Sequence, residues 1–362
     1  MTTFGKNIGI MRKSFLAAVL GTVIGVSGCK AQNPNIASVG VDGFEKAILD
    51  PQVLLIDVRT PEEYAEGHIP GAINVDVREN GFMDRIFRIM TRDMRAAVYC
   101  RSGNRSKTAR DMLAGYGYMV YELDPGFIAW TGAGKPVVRD ESDVFLTPNG
   151  TTIVLYCIKH GSIGMKIADK WIYVDPVGRA AQPATDYSIL PKADAILITH
   201  EHGDHLDADA IGQLTGDDTR IFATANCCKQ LGRGDAMAPG DVRTLDGGIG
   251  IKAVPAYNTS ADKQNFHPKG RDNGYLLTVD GFTIYVAGDT EDIPEMKDLP
   301  AVDVAFLPCN LPYTMSPEQL DNAARTIGPK VLFPYHYSST DMTKVTDMLE
   351  GSGIDVRIRR YQ

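Results

Sequence analysis

The chain has 362 residues, which is enough for two domains with terminal extensions. Hydrophobic residues make up 44% and charged residues 23% of the chain, the proportions of an ordinary globular protein. The net charge is −8 and no basic block is present, so composition argues against a nucleic-acid-binding protein that relies on a positive surface.

The N-terminus is predicted to be a targeting segment. Arg12 and Lys13 precede an apolar stretch at residues 15–26, which is too short to span a membrane comfortably. The stretch ends in Val26-Ser27-Gly28-Cys29 and resembles a bacterial lipobox, in which the signal is cut before an acylated cysteine. An ordinary secretory signal or an N-terminal helix is the alternative.

The lipobox resemblance implies that a lipid on Cys29 holds the protein to a membrane of the bacterial envelope, on the periplasmic side or at the outer membrane. Residues 1–28 are then the signal peptide, and the small and polar residues 29–40 are a tether. Of six cysteines in the chain, five would remain, and an odd number leaves at least one thiol unpaired.

Residues 41–138 are predicted to form an α/β domain with a parallel sheet, because short helices and strands alternate along them. A helix is expected at residues 43–49 and a buried strand at residues 53–59. Thr60 and Pro61 then match the N-cap and first position of a helix.

Cys100 ends a predicted strand, residues 96–99, and precedes a tight loop and a predicted helix at residues 106–114. Converging backbone N–H groups, a helix dipole and nearby arginines would lower the pKa of the thiol and favour thiolate. The same loop can bind an anion or a sulfane sulfur on the cysteine. Its residues are Arg101, Ser102, Gly103, Asn104 and Arg105.

Residues 53–138 resemble a single-domain rhodanese. The resemblance is carried by Asp57-Val58-Arg59, Gly67-His68-Ile69-Pro70-Gly71-Ala72, the Cys100 loop and Gly126-Phe127-Ile128-Ala129-Trp130. It implies that Cys100 carries a persulfide between a sulfane-sulfur donor, such as thiosulfate or a persulfide, and an acceptor. Arg101 and Arg105 would attract an anionic donor.

Three parts of the rhodanese-like segment carry secondary expectations. Asp57, Arg59 and His68 are expected to hold the fold together. Asp124-Pro125-Gly126 departs from the family, which usually has two glycines there, and is expected to shape the pocket rim. Phosphatases of related fold use a loop one residue longer, which makes phosphatase the weaker alternative.

A charged stretch at residues 139–150 is predicted to be an exposed linker to a second domain at residues 151–362. Strands dominate the start of that domain, with hairpins expected around Asp169-Lys170 and Asp280-Gly281. Helices are expected near residues 207–214, 316–327 and 341–350. Strands and helices in this arrangement predict two sheets with helices outside.

Three of the seven histidines lie within Thr199-His200-Glu201-His202-Gly203-Asp204-His205, directly after an apolar strand. Imidazoles with a carboxylate between them can bind one or two divalent metals at the end of a strand. Asp289 and His336 also follow predicted strands. The alternative is a polar loop that happens to be rich in histidine.

The pattern resembles the metallo-β-lactamase fold, an αββα sandwich, over residues 151–362, and within it the hydrolases related to ascorbate-phosphate lactonase and to the phospholipase D that releases N-acylethanolamines. The resemblance implies two divalent metals, zinc first, with iron or manganese as alternatives. It assigns His200, His202 and His267 to the first metal. It assigns Asp204, His205 and His336 to the second, and Asp289 to both. Relatives carry the third histidine directly after a strand, so His267 must loop back.

Such a pair of metals lowers the pKa of a shared water, which Asp204 could orient for attack on an ester, lactone, amide or phosphoester. Two other functions stay open. One is a persulfide dioxygenase with a single iron, supplied with sulfur by the rhodanese-like domain. The other is a non-catalytic module that binds anions or metal.

Several further residues have open roles. His160 could approach the metal pocket, but a structural role is favoured. Lys269, Arg271 and Tyr313 are either substrate contacts or solvated surface. Cys227-Cys228 is expected to be a buried helix start or a redox-active pair.

Overall fold

The computed structural model describes residues 33–50, 52–179 and 184–361. The predicted signal peptide, Cys29 and the start of the tether lie outside the described residues. Within the described ranges, none of the helices combines the length and apolar character needed to cross a membrane.

The first part of the fold is a five-stranded parallel sheet in the order β1-β5-β4-β2-β3, flanked by helices. Its strands are β1 Ile36–Val39, β2 Val53–Asp57, β3 Ile73–Asn74, β4 Arg95–Tyr99 and β5 Met119–Leu123. Its helices are α1 Val41–Ile48, α2 Pro61–Glu66, α3 Phe82–Phe87, α4 Asn104–Gly115 and α5 Gly126–Gly132. The predicted α/β class is confirmed, and Thr60 caps α2 in a capping box with Glu63.

The second part is a sandwich of two seven-stranded sheets. The first sheet contains β6 Glu141–Leu146, β7 Thr152–Lys159, β8 Ser162–Ile167, β9 Lys170–Val174, β10 Ala195–Ile198, β11 Arg220–Ala223 and β12 Asp235–Ala236. The second contains β13 Val242–Leu245, β14 Ile249–Ala256, β15 Asp272–Val279, β16 Phe282–Val286, β17 Val304–Pro308, β18 Val331–Tyr335 and β19 Asp355–Val356.

Helices cover the outer faces of this sandwich, namely α6 Ala208–Leu214, α7 Ala225–Leu231, α8 Pro317–Ile327 and α9 Thr343–Met348. Aliphatic and aromatic side chains of both sheets form the core between them. Both predicted hairpins are present, and Asp280 and Gly281 have the positive φ values of +50° and +77° that a tight hairpin turn requires. The predicted sandwich is confirmed.

Two predicted connectors contain strands instead. β1 lies within the expected tether and pairs with β5, while β6 lies within the expected linker and forms the edge of the first sheet. The charged residues of this stretch predicted an exposed linker. One of them, Asp143 on β6, accepts hydrogen bonds from Arg357 and Arg359, which are far away in the sequence and neutralise its charge. A short sequence window cannot show that contact.

The two parts share one apolar cluster, which joins the first part to the outer face of the first sheet of the sandwich. Tyr156 donates a hydrogen bond to the Gly71 carbonyl at 3.0 Å, and Thr152 donates one to the Ile89 carbonyl at 3.0 Å. The first part therefore packs directly on the sandwich and does not hang from an exposed linker.

Candidate metal centre

Loops that follow strand ends bring eight polar side chains together at one edge of the sandwich. The loop after β10 supplies His200, His202, Asp204 and His205, and single residues come from other loops: His160, His267, Asp289 and His336. Their ligand atoms fall into three overlapping groups, with the atoms of each group within 4.8 Å of one another. All seven predicted metal ligands lie in this cluster.

The first group contains His200, His202 and His267. His200 Nε2 lies 3.1 Å from His202 Nδ1, and the His267 ring centroid is 4.9 Å from that of each of the other two histidines. His267 reaches them because its loop folds back, and the Asn258 N–H donates a hydrogen bond to its carbonyl at 2.8 Å. The expected return of this loop is confirmed.

The second group contains Asp204, His205 and His336, and also His160. Asp204 Oδ2 lies 3.6 Å from His336 Nε2 and 4.0 Å from His205 Nε2. His160 Nε2 is nearer still, 3.1 Å from the same oxygen. The structure therefore places His160 in the cluster, whereas the sequence favoured a structural role over an approach to the pocket.

Asp289 lies between the two groups and is almost completely buried. Its Oδ1 is 3.4 Å from His205 Nε2, and its Oδ2 is 3.4 Å from His267 Nε2 and 3.5 Å from His336 Nε2. A single carboxylate thus faces histidines of both groups.

Two aspartates that the sequence analysis did not identify contact the Nδ1 atoms of two of the histidines and orient their rings. Asp175 Oδ2 is 2.8 Å from His205 Nδ1, and Asp272 Oδ2 is 2.9 Å from His267 Nδ1. Carboxylates in this position set the tautomer and ring orientation of metal-binding histidines. Asp175 directly follows the apolar strand β9. A carboxylate at the end of a strand was the feature of the sequence that could have identified it.

The three open surface candidates have different outcomes. Arg271 donates hydrogen bonds to Asp272, and Lys269 donates hydrogen bonds to Glu295 and the Tyr257 hydroxyl. The charged groups of both side chains are therefore paired with neighbouring residues. Tyr313 is 45% exposed, and its ring packs edge-on against Phe266, the neighbour of His267. Of these candidates, Tyr313 remains suited to contact a substrate.

The electrostatics of the cluster fit a bound cation. His205 Nε2, His336 Nε2 and Asp289 Oδ1 are buried and have no hydrogen-bond partner among the described residues. Burial lowers the pKa of His205, but the carboxylates of Asp289 and Asp175 outweigh it and raise the pKa to about 10. Burial and neighbouring imidazoles hold the pKa of His200 well below its ordinary value. Unpartnered imidazole nitrogens and carboxylates suit divalent metals, so these residues fit the metals that the resemblance implies.

A separate constellation surrounds Cys100 at the end of β4. The loop passes close to the segment before α5, and a Cβ on Gly103 would lie 1.8 Å from the Asp124 carbonyl oxygen. Burial raises the pKa of the Cys100 thiol, but its hydrogen bonding with the Ser106 hydroxyl and with backbone N–H groups of the loop outweighs burial and lowers the pKa. The loop therefore increases the thiolate fraction of Cys100 relative to an ordinary thiol.

The two arginines of the loop differ. Arg105 donates hydrogen bonds to both carboxylate oxygens of Glu63, at 2.6 and 2.8 Å. Its guanidinium is therefore paired with Glu63, whereas the sequence predicted that it attracts an anionic donor. Arg101 is exposed and borders a cavity of about 520 Å³, which Phe127 and Arg139 also line. Arg101 thus remains the arginine available to an anionic donor.

The expected structural residues of the first part have that role. Arg59 donates hydrogen bonds to both carboxylate oxygens of Asp57 and to the Gly67 carbonyl. His68 stacks on Tyr64 with ring centroids 3.6 Å apart. Cys227 is buried in α7, as a helix-start position predicts, and the five described cysteines are free thiols.

Comparison with known families agrees with this two-part architecture. The family model described as a rhodanese-like domain matches residues 41–133, and the model described as a β-lactamase superfamily domain matches residues 170–337. Both matches lie within the parts of the fold described above.

Relatives of the chain include the protein named UPF0173 metal-dependent hydrolase of Geobacillus thermodenitrificans, which is 33% identical over 192 residues, 50% of this chain and 83% of the relative. The corresponding protein of Thermococcus kodakarensis is 32% identical over 183 residues, 47% of this chain and 78% of the relative. A solved structure from Parabacteroides distasonis, described as a metal-dependent hydrolase, is 50% identical, with a TM-score of 0.59, over 62% of this chain and 100% of that chain.

Proposed function

This chain belongs to the UPF0173 metal-dependent hydrolases of the β-lactamase superfamily, and we propose that it is a dinuclear hydrolase joined to a sulfurtransferase domain. His200, His202 and His267 would hold one divalent cation, and Asp204, His205 and His336 the other, with zinc the first choice. The observation that carries this proposal is Asp289, whose two oxygens face histidines of both groups.

The chain's own residues would hold and orient the reacting groups. Two bound cations would lower the pKa of a water between them and polarise a carbonyl or phosphoryl oxygen. Asp175 and Asp272 keep two of the imidazoles in one orientation. The side chain of Asp204 is 44% exposed, so it can accept a hydrogen bond from a water that enters the site.

The proposed substrate is a small ester, lactone, amide or phosphoester. The resemblance of the sequence to ascorbate-phosphate lactonase supports a lactone among these. Leu311 and Tyr313 are 49% and 45% exposed, and the loop that carries them is joined to the site by Asn310, whose Nδ2 lies 3.4 Å from His336 Nδ1. An apolar rim of this kind suits a substrate with an apolar portion beside the scissile bond.

Metal analysis of the purified full chain tests the dinuclear proposal. We expect two divalent ions per chain, and hydrolysis of at least one member of a chromogenic panel of esters, lactones, amides and phosphodiesters. Hydrolysis should disappear on chelation and return with added zinc. One iron per chain, with oxygen uptake on glutathione persulfide, would instead identify a persulfide dioxygenase. Metal binding without turnover of either kind would indicate a binding module.

For the first part, we propose that the Cys100 thiolate attacks the sulfane sulfur of a donor. The new S–S bond forms as the donor's own bond to that sulfur breaks, and sulfite or a thiolate leaves with the electron pair. An acceptor nucleophile then takes the outer sulfur and regenerates the thiolate. The lowered pKa of Cys100 and the exposed Arg101 support this assignment.

We also propose that a lipid on Cys29 anchors the protein in the bacterial envelope, on the evidence of Val26-Ser27-Gly28-Cys29. Cells that express the full chain should incorporate a labelled fatty acid into it and retain it in the membrane fraction. A Cys29→Ala variant should lose the label. Equal labelling of both forms would refute the anchor.

A further inference from the structure

His160 lies in the turn between β7 and β8 and faces the second group of ligands. The turn is fitted closely to the site, because the His160 carbonyl accepts a hydrogen bond from the His336 N–H at 3.3 Å. His160 also has a positive φ of +48°, a conformation that side chains other than glycine adopt at a cost. The backbone therefore holds this histidine at a definite place beside His336.

Gly161 allows this close approach. A Cβ at position 161 would lie 2.9 Å from His205 Cε1, closer than real Cβ contacts come. The turn thus packs directly on the ring of another member of the second group. A side chain at position 161 would push the turn, and His160 with it, away from His205.

The ligand atoms are spaced as ligands around one cation are. Metal–ligand distances of about 2.0–2.1 Å place neighbouring ligand atoms about 2.9–3.6 Å apart in four- or five-coordinate geometry. From Asp204 Oδ2, the observed distances are 3.1 Å to His160 Nε2, 3.6 Å to His336 Nε2 and 4.0 Å to His205 Nε2. The imidazole rings of His160 and His336 have centroids 3.8 Å apart.

We propose that His160 is a further protein ligand of the second cation, the fifth when the shared Asp289 is counted, through Nε2, an inference that rests on the dinuclear function proposed above. The second group would then contain three imidazoles and one carboxylate, besides the oxygen of Asp289. The first group would have three histidines besides Asp289, and so more room for water or substrate. Sites with more protein ligands are closed, whereas catalytic sites keep an open position.

The larger number of protein ligands at the second cation has a measurable consequence. The second cation should resist a chelator longer than the first, so that the wild-type chain passes through a form with one metal. Removal of the His160 ligand should weaken the second cation selectively. The competing interpretation is that His160 only donates a hydrogen bond to Asp204.

The variants His160→Gln and His160→Ala separate these interpretations. The glutamine amide can replace the hydrogen bond to Asp204, but it is a poor ligand for zinc. In the full chain loaded with zinc, we expect both variants to lose affinity for one of the two ions by about 100-fold or more, at or above the upper end of the loss caused by removal of an outer-shell partner. Chelator competition with metal analysis measures this, and visible absorption after cobalt substitution reports the coordination number.

Gln230→Ala is the control, because Gln230 is exposed on α7 and is not part of the metal cluster, so the metal affinity of this variant should equal that of wild type. A His160→Gln variant that keeps wild-type affinity and cobalt absorption would overturn the proposal in favour of the hydrogen bond. If the glutamine variant does not fold, His160→Asn still tests the proposal, since asparagine tolerates positive φ. Its amide is too short to replace either the ligand or the hydrogen bond, so wild-type affinity for both ions in this variant would overturn the proposal. A wild-type chain that binds fewer than two ions would instead refute the dinuclear function itself.

Discussion

Replacement of Asp289 by asparagine is expected to lower kcat/KM of the hydrolase by about 10³-fold or more, because Lewis-acid stabilisation worth several kcal/mol depends on the cation pair. Asp289 is the buried carboxylate that faces both histidine groups. A neutral amide keeps the shape of the side chain but not its charge, so the two cations would lose their shared ligand. Initial rates on a substrate that the wild type hydrolyses, together with metal content, measure the effect.

Asp298→Asn is the control for this prediction. Asp298 is an exposed carboxylate in the segment that follows Asp289, so its neutralisation should leave rate and metal content at wild-type values. If Asp289→Asn retains activity within a few-fold of wild type and still binds two ions, Asp289 is not the shared ligand. The carboxylate would then be a structural group.

Replacement of Cys100 by serine is expected to abolish sulfur transfer, since an alcohol cannot form a persulfide and is a far weaker nucleophile than a thiolate. Thiocyanate formation from thiosulfate and cyanide measures turnover, and intact-protein mass measures the added sulfur. Because the pKa of Cys100 is lowered, its alkylation by iodoacetamide should continue at pH values where an ordinary thiol is protonated and unreactive.

Cys228→Ser provides the comparison for Cys100. Burial raises the pKa of the Cys228 thiol, which lies on α7 and away from the Cys100 loop, so its loss should leave sulfur transfer intact. Sulfur transfer that survives in Cys100→Ser, or that is absent from wild type with every sulfane donor, would contradict the sulfurtransferase assignment. Hydrolase activity should remain in both variants, because neither residue is part of the metal cluster.

The sequence by itself determined what depends on neighbouring residues. Thr60-Pro61 predicts the start of α2, and Asp280-Gly281 predicts the turn between β15 and β16, because capping and positive φ are local properties. The same holds for the residues after β10, where closely spaced histidines and an aspartate predict a metal cluster before any fold is known. The order of the later ligands along the chain then identified the resemblance.

Only the tertiary structure decided what depends on residues far apart in the chain. β6 is a strand because it pairs with β7 at the edge of the first sheet, and Arg357 and Arg359 neutralise its Asp143. Glu63 accepts a hydrogen bond from Arg105, which lies 42 residues later in the chain. His160 contacts Asp204, which lies 44 residues later. Local propensity contains no information about such pairings, since burial and charge neutralisation arise only when the sheets have packed.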